Sequence, residues 1–180
     1  MLKLRELTME QHKNAERSKF AKKLVSGEVS PSMYVVYLYN MGYVYHILET
    51  VASQAGVLTG LSAIRRAEHI WSDYEELVVN EKPVLLNTVQ NYMDYVIGMR
   101  NDKERLLAHL YVRHMGDMSG GQIIVKKVPG QGRYYKFKSV DKLKDKLRER
   151  LNNDMAEEAK IAFDFANDIF IELDGLDDLG

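Results

Sequence analysis

The chain has 180 residues, and its 25 Lys and Arg nearly balance 26 Asp and Glu, for a formal net charge of −1. This balance gives no electrostatic support for a nucleic-acid partner. Cysteine is absent, which excludes disulfides, thiolate nucleophiles and cysteine-held zinc or iron–sulfur sites. No apolar run reaches the roughly 20 residues that span a bilayer, and the charged N-terminus does not resemble a signal peptide. We expect a soluble, cytoplasmic protein without a membrane anchor, with a single domain over residues 1–180.

Helical periodicity predicts the structure of the first third of the chain. Residues 2–25 space their apolar side chains with a helical period, which predicts one helix. Ser30 and Pro31 then form a helix start signal, with serine as the N-cap and proline at the first helical position. Residues 33–51 are rich in Tyr and Val, which favour strands, but their length without a turn indicates a buried helix, despite Gly42.

The rest of the chain is also predicted to be helical. Helices are expected at residues 61–79, 84–99, 102–127, 140–152 and 154–173. Pro129 begins a clear breaker, and residues 133–139 form a basic, aromatic connector whose structure the pattern does not define. Residues 174–180 are predicted to be a short acidic tail. The fold class is therefore all-α.

A glycine cluster interrupts the helix predicted at residues 102–127. Gly116, Gly120 and Gly121 share one helical face, and each costs roughly 1 kcal/mol of helix stability relative to alanine. A helix tolerates such a loss where a flat group must approach its backbone, or where it must bend. Asp117 places an ionisable group beside the gap. Close helix–helix packing is the alternative for Gly120 and Gly121, but it leaves Asp117 unexplained.

Histidines are the remaining candidates for metal ligation. The chain has five of them, and no pair has metalloprotease spacing: His12, His46, His69, His109 and His114. A single axial histidine on a porphyrin iron is therefore the more economical metal site. His12 is the best candidate because Glu16 lies one turn later, where its carboxylate can accept from the second imidazole nitrogen. Taken alone, this pair is weak evidence, because a histidine on an amphipathic helix is more often an ordinary surface or core residue than a ligand.

Two runs together carry a family resemblance. Residues 10–16, which contain H-x-x-A-E, and residues 111–122, which contain G-D-M-S-G-G-Q, resemble the proximal and distal helices of haem oxygenases. The resemblance continues at residues 108–111, 147–152, 157–163 and 170–173, and its order and approximate spacing hold from about residue 4 to residue 173. It implies a mainly helical fold with haem between the first helix and a kinked distal helix.

The resemblance also implies an activity and its partners. Haem b would be both substrate and cofactor, opened with O2 to biliverdin, with CO and ferrous iron released. The IXα isomer is expected because the positions that would face the haem propionates are mostly retained. Electrons would come from a donor such as ferredoxin or a reductase, and a bilin reductase would be a downstream partner.

The family's functional residues map onto matching positions here. His12 is implied to be the iron ligand, with Glu16 as its supporting partner. Gly116 and Gly120 would pack their backbones on the distal haem face, and Asp117 would hold an ordered water through which it delivers a proton. The remaining matches are Arg113 and Tyr45 in the distal polar network, and Ser119, Gly121 and Phe163 as further haem contacts; for Phe163, core packing is the alternative.

Four matching positions would bind the haem propionates: Arg5, Tyr111, Lys144 and Arg148. Lys144 and Arg148 are four residues apart on a predicted helix and so share a face, which suits a carboxylate clamp. The alternative is a solvated basic face, because further lysines lie nearby. That surplus charge could also dock an acidic electron donor such as ferredoxin.

The chain departs from the family pattern at several points. His114 stands where many relatives have tyrosine, so it either changes the proton supply or faces away. Met9 replaces a basic propionate contact of some relatives, and the region after Gln122 is shorter. The hydrophobic C-terminal anchor of animal enzymes is also missing, which suggests a compact form like those of bacteria, photosynthetic organisms and their viruses; a viral form would act in the host-cell cytoplasm.

Two alternative functions stay open. The first is a haem-binding or haem-trafficking protein on the same scaffold without turnover, although such a carrier needs neither Asp117 nor the glycine cluster. The second is a helical partner-binding protein with no cofactor, for which the match of both motifs would be a coincidence.

Overall fold

Helices account for all regular structure in the computed structural model, which describes residues 1–179. No strand occurs in this part of the chain, so the all-α prediction is confirmed. Of the helices within residues 1–179, none combines the length and the apolarity needed to cross a membrane.

The first segment folds as three short helices, so the prediction of one helix over residues 2–25 is wrong. These are α1 (Leu4–Leu7), α2 (Met9–Glu16) and α3 (Lys19–Ser26). The hydroxyl of Thr8, between α1 and α2, donates to the Leu4 carbonyl at 2.8 Å. The hydroxyl of Ser18 accepts from the backbone N–H of Ala21 at 3.1 Å and caps α3. Such side-chain bonds to the backbone compete with continuous helix, and periodicity alone does not detect them.

A long helix, α4 (Pro31–Gln54), runs through the core and confirms the helix predicted at residues 33–51. The hydroxyl of Ser30 accepts from the N–H of Met33 at 3.1 Å, as the start signal predicted. Gly42 has a packing reason, because a Cβ at this position would lie 2.5 Å from the ring of Trp71. Trp71 belongs to α5 (Ala67–Leu77), which contacts α4 closely.

Two further helices, α6 (Asn87–Gly98) and α7 (Lys103–Leu110), also pack on α4. After α7 the chain does not continue as the single helix predicted to residue 127. It forms a π-helical turn at Tyr111–Met115 and two short helices, α8 (Gly116–Ser119) and α9 (Gly121–Ile124). We call residues 111–124 the distal segment. The regular α-helix is thus interrupted at the glycines: a widened turn lies directly before Gly116, and Gly120 separates α8 from α9.

The last two helices are α10 (Val140–Arg148) and α11 (Ala156–Leu179). A short 3₁₀ turn, Arg133–Tyr135, gives the aromatic connector a defined structure. α11 packs on α2, α3, α6 and α7. It continues to Leu179, so the prediction of a helix ending at residue 173 and a separate acidic tail is wrong. Asp177 near its end pairs with Lys23 of α3 at 2.6 Å, which ties this acidic end to α3.

Candidate active site

A cavity of about 720 Å³ opens between α2, the distal segment, α4, the aromatic connector and α11. We call it the main cavity; its volume lies within the range of about 300–1,000 Å³ typical of small-molecule sites. Thirteen of the sequence-predicted site residues line it: Arg5, His12, Glu16, Tyr45, Tyr111, Arg113, Gly116, Asp117, Ser119, Gly120, Gly121, Arg148 and Phe163. Residues that lie more than 100 positions apart in the chain are thus brought to one space.

One wall of the main cavity carries His12. Its Nε2 lies 2.8 Å from Oε1 of Glu16, and its side chain is 37% exposed. The ring of Phe163 stacks on the imidazole, with 5.2 Å between centroids and 13° between planes. Because one nitrogen cannot both donate to a carboxylate and ligate a metal, metal binding at Nε2 would require the ring to leave this pairing. Phe163 limits the orientations that the ring can adopt.

The distal segment forms a second wall of the main cavity, the distal wall, and exposes backbone at two of the three clustered glycines. A Cβ on Gly116 would meet nothing within 4 Å, and one on Gly120 would approach only the Gly116 carbonyl oxygen, at 3.7 Å. On Gly121, by contrast, a Cβ would lie 2.6 Å from Cδ1 of Tyr135. Gly121 therefore permits close internal packing, whereas Gly116 and Gly120 leave open space in front of the backbone.

Asp117 lies between these glycines, half-buried, and its carboxylate oxygen Oδ2 accepts a hydrogen bond from the hydroxyl of Tyr45. Burial raises the pKa of Asp117 to about 6, against the opposing effects of the Tyr45 hydrogen bond and the nearby charge of Arg113. A carboxyl group with this pKa can exchange a proton near neutral pH, as a general acid or base must.

Arg113 contributes a buried guanidinium to the same wall. Its Nη1 lies 3.9 Å from the sulfur of Met41, and its Cζ lies 5.4 Å from the ring centroid of Tyr92. Its Nε and Nη2 have no hydrogen-bond partner. Buried polar groups are almost always partnered, so these donors favour a polar ligand or water at the cavity wall.

His114 lies behind this wall and does not line the main cavity. Its Nε2 lies 2.8 Å from Oε2 of Glu49, both side chains are buried, and its ring packs edge-on against Tyr45. Glu49 also accepts from the backbone N–H groups of Arg66 and Ala67, at 2.6 and 3.0 Å, at the start of α5. Of the two alternatives for His114, the structure therefore favours an orientation away from the cavity. Glu49 belongs to no sequence motif, so the sequence alone does not predict this role.

At another edge of the main cavity lie Arg5, Tyr111 and Arg148. Burial raises the pKa of the Tyr111 phenol, and the positive charges of Arg5 and Arg148 oppose this rise. Arg148 is exposed and pairs with Asp145 at 2.9 Å. Lys144 does not line the cavity, so the structure does not bring it together with Arg148 at this edge as the shared helix face suggested. Arg148 is the last residue of α10, and Lys144 lies one turn before it.

Three tyrosines that the sequence did not single out as site residues also line the main cavity: Tyr37, Tyr134 and Tyr135. The hydroxyl oxygens of Tyr37 and Tyr135 are 2.7 Å apart, and the rings of Tyr134 and Tyr135 stack at 4.0 Å. Arg66 holds the connector in place by donating to the carbonyls of Tyr134 and Lys136, at 3.2 and 2.6 Å. The aromatic character of the connector was the available signal, but only the fold shows that it reaches the cavity.

The known proteins that match this chain belong to one family. A family model described as Heme oxygenase matches residues 1–172. Heme oxygenase 2 of Oryctolagus cuniculus is 30% identical over 203 residues, which cover 95% of this chain and 65% of that protein. The chain thus spans somewhat less than two thirds of the length of this relative.

Two solved structures are similar throughout. The heme oxygenase of Leptospira interrogans has a TM-score of 0.84 at 27% identity, with 94% of this chain and 97% of that one covered. Heme oxygenase-1 of the cyanobacterium Synechocystis, solved in complex with heme, also has a TM-score of 0.84, at 24% identity and 96% and 91% coverage. At 24% identity, the similarity to the Synechocystis structure shows only that the fold is shared. With a family model that matches nearly the whole chain, and the family's two motifs lining one cavity, this chain belongs to the heme oxygenase family.

Proposed function

We propose that this protein binds haem b in the main cavity and opens it oxidatively to biliverdin, releasing CO and ferrous iron. One observation carries the proposal: His12 of α2 and the Gly116–Gly120 backbone of the distal segment line a single cavity, with Asp117 beside the glycines. When bound, haem supplies the iron that activates dioxygen and the ring carbon that is oxidised.

The His12 wall suits an axial ligand. An imidazole is a ligand of haem iron, and a neighbouring carboxylate orients it and raises its basicity. Glu16 is already within hydrogen-bond distance of the ring, and the stacked Phe163 supports its plane. Binding of haem iron at Nε2 would require His12 to leave this contact, and the Glu16 carboxylate could then accept from Nδ1.

The distal wall suits a flat substrate and proton transfer. The absence of side chains at Gly116 and Gly120 lets the backbone contact the face of the ring. Asp117, held by Tyr45, exchanges a proton with a water molecule on this side of the cavity, because its raised pKa lies near neutral pH. The unpartnered N–H groups of Arg113 then serve as donors that hold such water in place.

The edge formed by Arg5, Tyr111 and Arg148 is proposed to bind the two propionates. Two guanidinium groups and a phenol provide the donors that carboxylates prefer, and their position at one edge allows only a limited set of haem orientations. A fixed orientation presents one meso carbon to the distal wall, and we propose that the product is the IXα isomer. Lys144 lies outside the cavity and is not proposed to contact the propionates.

The electron donor is proposed to be an acidic protein such as a ferredoxin. Exposed lysines lie before α10 and along it, close in sequence to Arg148 at the cavity: Lys136, Lys138, Lys142 and Lys146. Complementary charges of this kind accelerate association with an acidic partner. Turnover supported by ferredoxin should therefore slow as ionic strength rises, and a rate indifferent to salt would exclude this part of the proposal.

One experiment tests the function. The purified protein is titrated with hemin while the Soret band is recorded, and a chemical reductant is then supplied in air. Biliverdin is identified by chromatography, and CO is measured by its binding to myoglobin. We expect a saturable Soret shift followed by stoichiometric biliverdin and CO. No Soret shift would overturn the haem assignment, and a stable haem complex without biliverdin would identify a haem carrier instead.

A further inference from the structure

A chain of buried hydrogen bonds lies behind Arg113, outside the main cavity. His109 is fully buried in α7, and both of its ring nitrogens are engaged. Its Nε2 lies 2.9 Å from Oε2 of Glu158 on α11, and its Nδ1 lies 2.8 Å from the hydroxyl of Tyr92 on α6. Three helices are thus joined through one imidazole, and none of the proposed catalytic steps uses it.

The chemistry of Glu158 determines the direction of these hydrogen bonds. Tyr95 donates its hydroxyl and Arg105 donates its Nε–H to this carboxylate, at 2.6 and 2.7 Å. Burial works to raise the pKa of Glu158, but the hydrogen bonds from His109, Tyr95 and Arg105 outweigh it and lower the pKa to about 2. The carboxylate is therefore ionised and can only accept, so Nε2 of His109 must carry the proton that it donates.

The direction of the hydrogen bond between Tyr92 and His109 follows from the protonation of Nε2. Burial lowers the pKa of His109, which keeps the imidazole neutral near pH 7. With Nε2 protonated, Nδ1 has only a lone pair, so it accepts the hydroxyl proton of Tyr92. The Tyr92 oxygen is then left with lone pairs and no proton to donate elsewhere.

Arg113 is the cavity residue that lies against Tyr92. Its guanidinium lies over the ring of Tyr92, and two of its nitrogens have no hydrogen-bond partner. Within residues 1–179 it forms no salt bridge with a carboxylate. The phenol of Tyr92 presents the electron-rich face of its ring to this guanidinium, and its hydroxyl proton is directed at His109, away from the cation.

We propose that Glu158, His109 and Tyr92 form a positioning chain that orients Arg113 toward the main cavity. Glu158 fixes the tautomer of His109, His109 fixes the hydroxyl of Tyr92, and Tyr92 supports the guanidinium. The three residues act through Arg113 and touch no reacting atom. The inference rests on the proposed function only in so far as Arg113 serves turnover there.

The tautomer of His109 tests the chain in the protein without haem. Nitrogen-15 NMR of the histidine-labelled protein distinguishes a protonated from a bare ring nitrogen, and a His109→Gln variant assigns the signals. We expect a neutral ring at pH 7 with Nε2 protonated and Nδ1 bare. A ring protonated at Nδ1, or a cationic ring, would overturn the proposal because Tyr92 would then be free to donate away from His109.

The contact with Arg113 is tested in the same haem-free protein. The Nε–H resonance of Arg113, assigned with an Arg113→Lys variant, should shift in Tyr92→Phe. It should stay in place in Tyr95→Phe, a matched control that also removes a phenol hydroxyl, but one that donates to Glu158 and not to His109. A resonance that does not respond to Tyr92→Phe would refute the positioning of Arg113.

Turnover gives an independent readout once haem is loaded. We expect His109→Leu to lower the ring-opening rate roughly 10-fold, as loss of an outer supporting hydrogen bond does at metal sites. His109→Gln should retain most of the rate, because an amide can donate to Glu158 and accept from Tyr92. Equal rates in the Leu and Gln variants would count against the proposal. If the wild-type protein does not open haem at all, the proposed function fails, whereas the two NMR tests still decide the positioning chain.

Discussion

The hydroxyl of Tyr45 donates a hydrogen bond to Oδ2 of Asp117 and joins α4 to the distal segment across 72 residues of sequence. This bond fixes the orientation of a carboxyl group whose pKa burial raises to about 6. It also places that group beside the two glycines whose backbones face open space. The first two predictions concern this carboxyl group.

Asp117→Ala should retain haem binding and lose ring opening. The variant keeps His12 and both cavity walls but removes the group proposed to exchange a proton with distal water. A loss of about 10²–10⁴-fold in biliverdin formation is expected for a general acid–base group. Hemin titration and single-turnover assays measure the two properties, with the exposed Asp168→Ala on α11 as the control. An unchanged biliverdin yield would remove Asp117 from the mechanism.

Asp117→Asn should make stability less dependent on pH. Folding raises the pKa of Asp117 from 3.8 to about 6, so the stability contributed by its protonated form is present below pH 4 and lost as pH rises through 6. The amide cannot ionise and avoids this loss. The variant's advantage in unfolding free energy should grow between pH 4 and pH 7, to at most about 3 kcal/mol. Urea denaturation at each pH measures it, and a difference that is constant with pH would contradict the pKa shift.

His12→Ala should abolish the spectrum of histidine-ligated haem even if haem still enters the cavity. The main cavity keeps its apolar lining and its basic edge in this variant, so hemin can bind without the axial ligand. Absorption and resonance Raman spectra distinguish the two kinds of complex. His69→Ala, which removes an exposed imidazole outside the main cavity, should leave both spectra unchanged. A normal histidine-ligated spectrum in His12→Ala would assign the ligand to another residue.

Alanine at Gly116 and at Gly121 should have opposite effects on the haem-free protein. At Gly116 a Cβ meets open space, so Ala should stabilise the helix by up to about 1 kcal/mol while hindering haem at the distal wall. At Gly121 a Cβ would lie 2.6 Å from the Tyr135 ring, so Ala should destabilise the fold by about 1–3 kcal/mol. Thermal unfolding without haem and hemin affinity separate the two effects. Equal destabilisation by both substitutions would mean that Gly116 also serves internal packing.

Glu49→Ala should destabilise the protein by about 3–5 kcal/mol, as expected when one partner of a buried pair is removed. The change leaves Nε2 of His114 and the N–H groups of Arg66 and Ala67 without their shared acceptor. Glu68→Ala, an exposed carboxylate on α5, is the control and should change stability little. Chemical denaturation gives both values. A loss below 1 kcal/mol would show that water readily replaces the Glu49 carboxylate.

Much of the site could be predicted because its residues are contained in two local motifs. The spacing of His12 and Glu16 along one helical turn brought them within hydrogen-bond distance, and the clustered glycines indicated a weakened helix. The connector at residues 133–139 could not be interpreted in this way, since Tyr134 and Tyr135 reach the cavity only through the fold. The role of Glu49 could not be predicted either, because its partners include His114, which lies 65 residues away in the sequence.

The sequence by itself determined the helical class and the family, and it singled out His12, Asp117 and the clustered glycines of the main cavity, because periodicity, capping and motif spacing are local properties. The tertiary structure alone decided which glycines are open and which is packed. It also decided that Arg148 lines the cavity while Lys144 does not, that His114 faces Glu49, and that Asp117 meets Tyr45. Each of these depends on burial and on contacts between distant helices, which arise only when the chain packs.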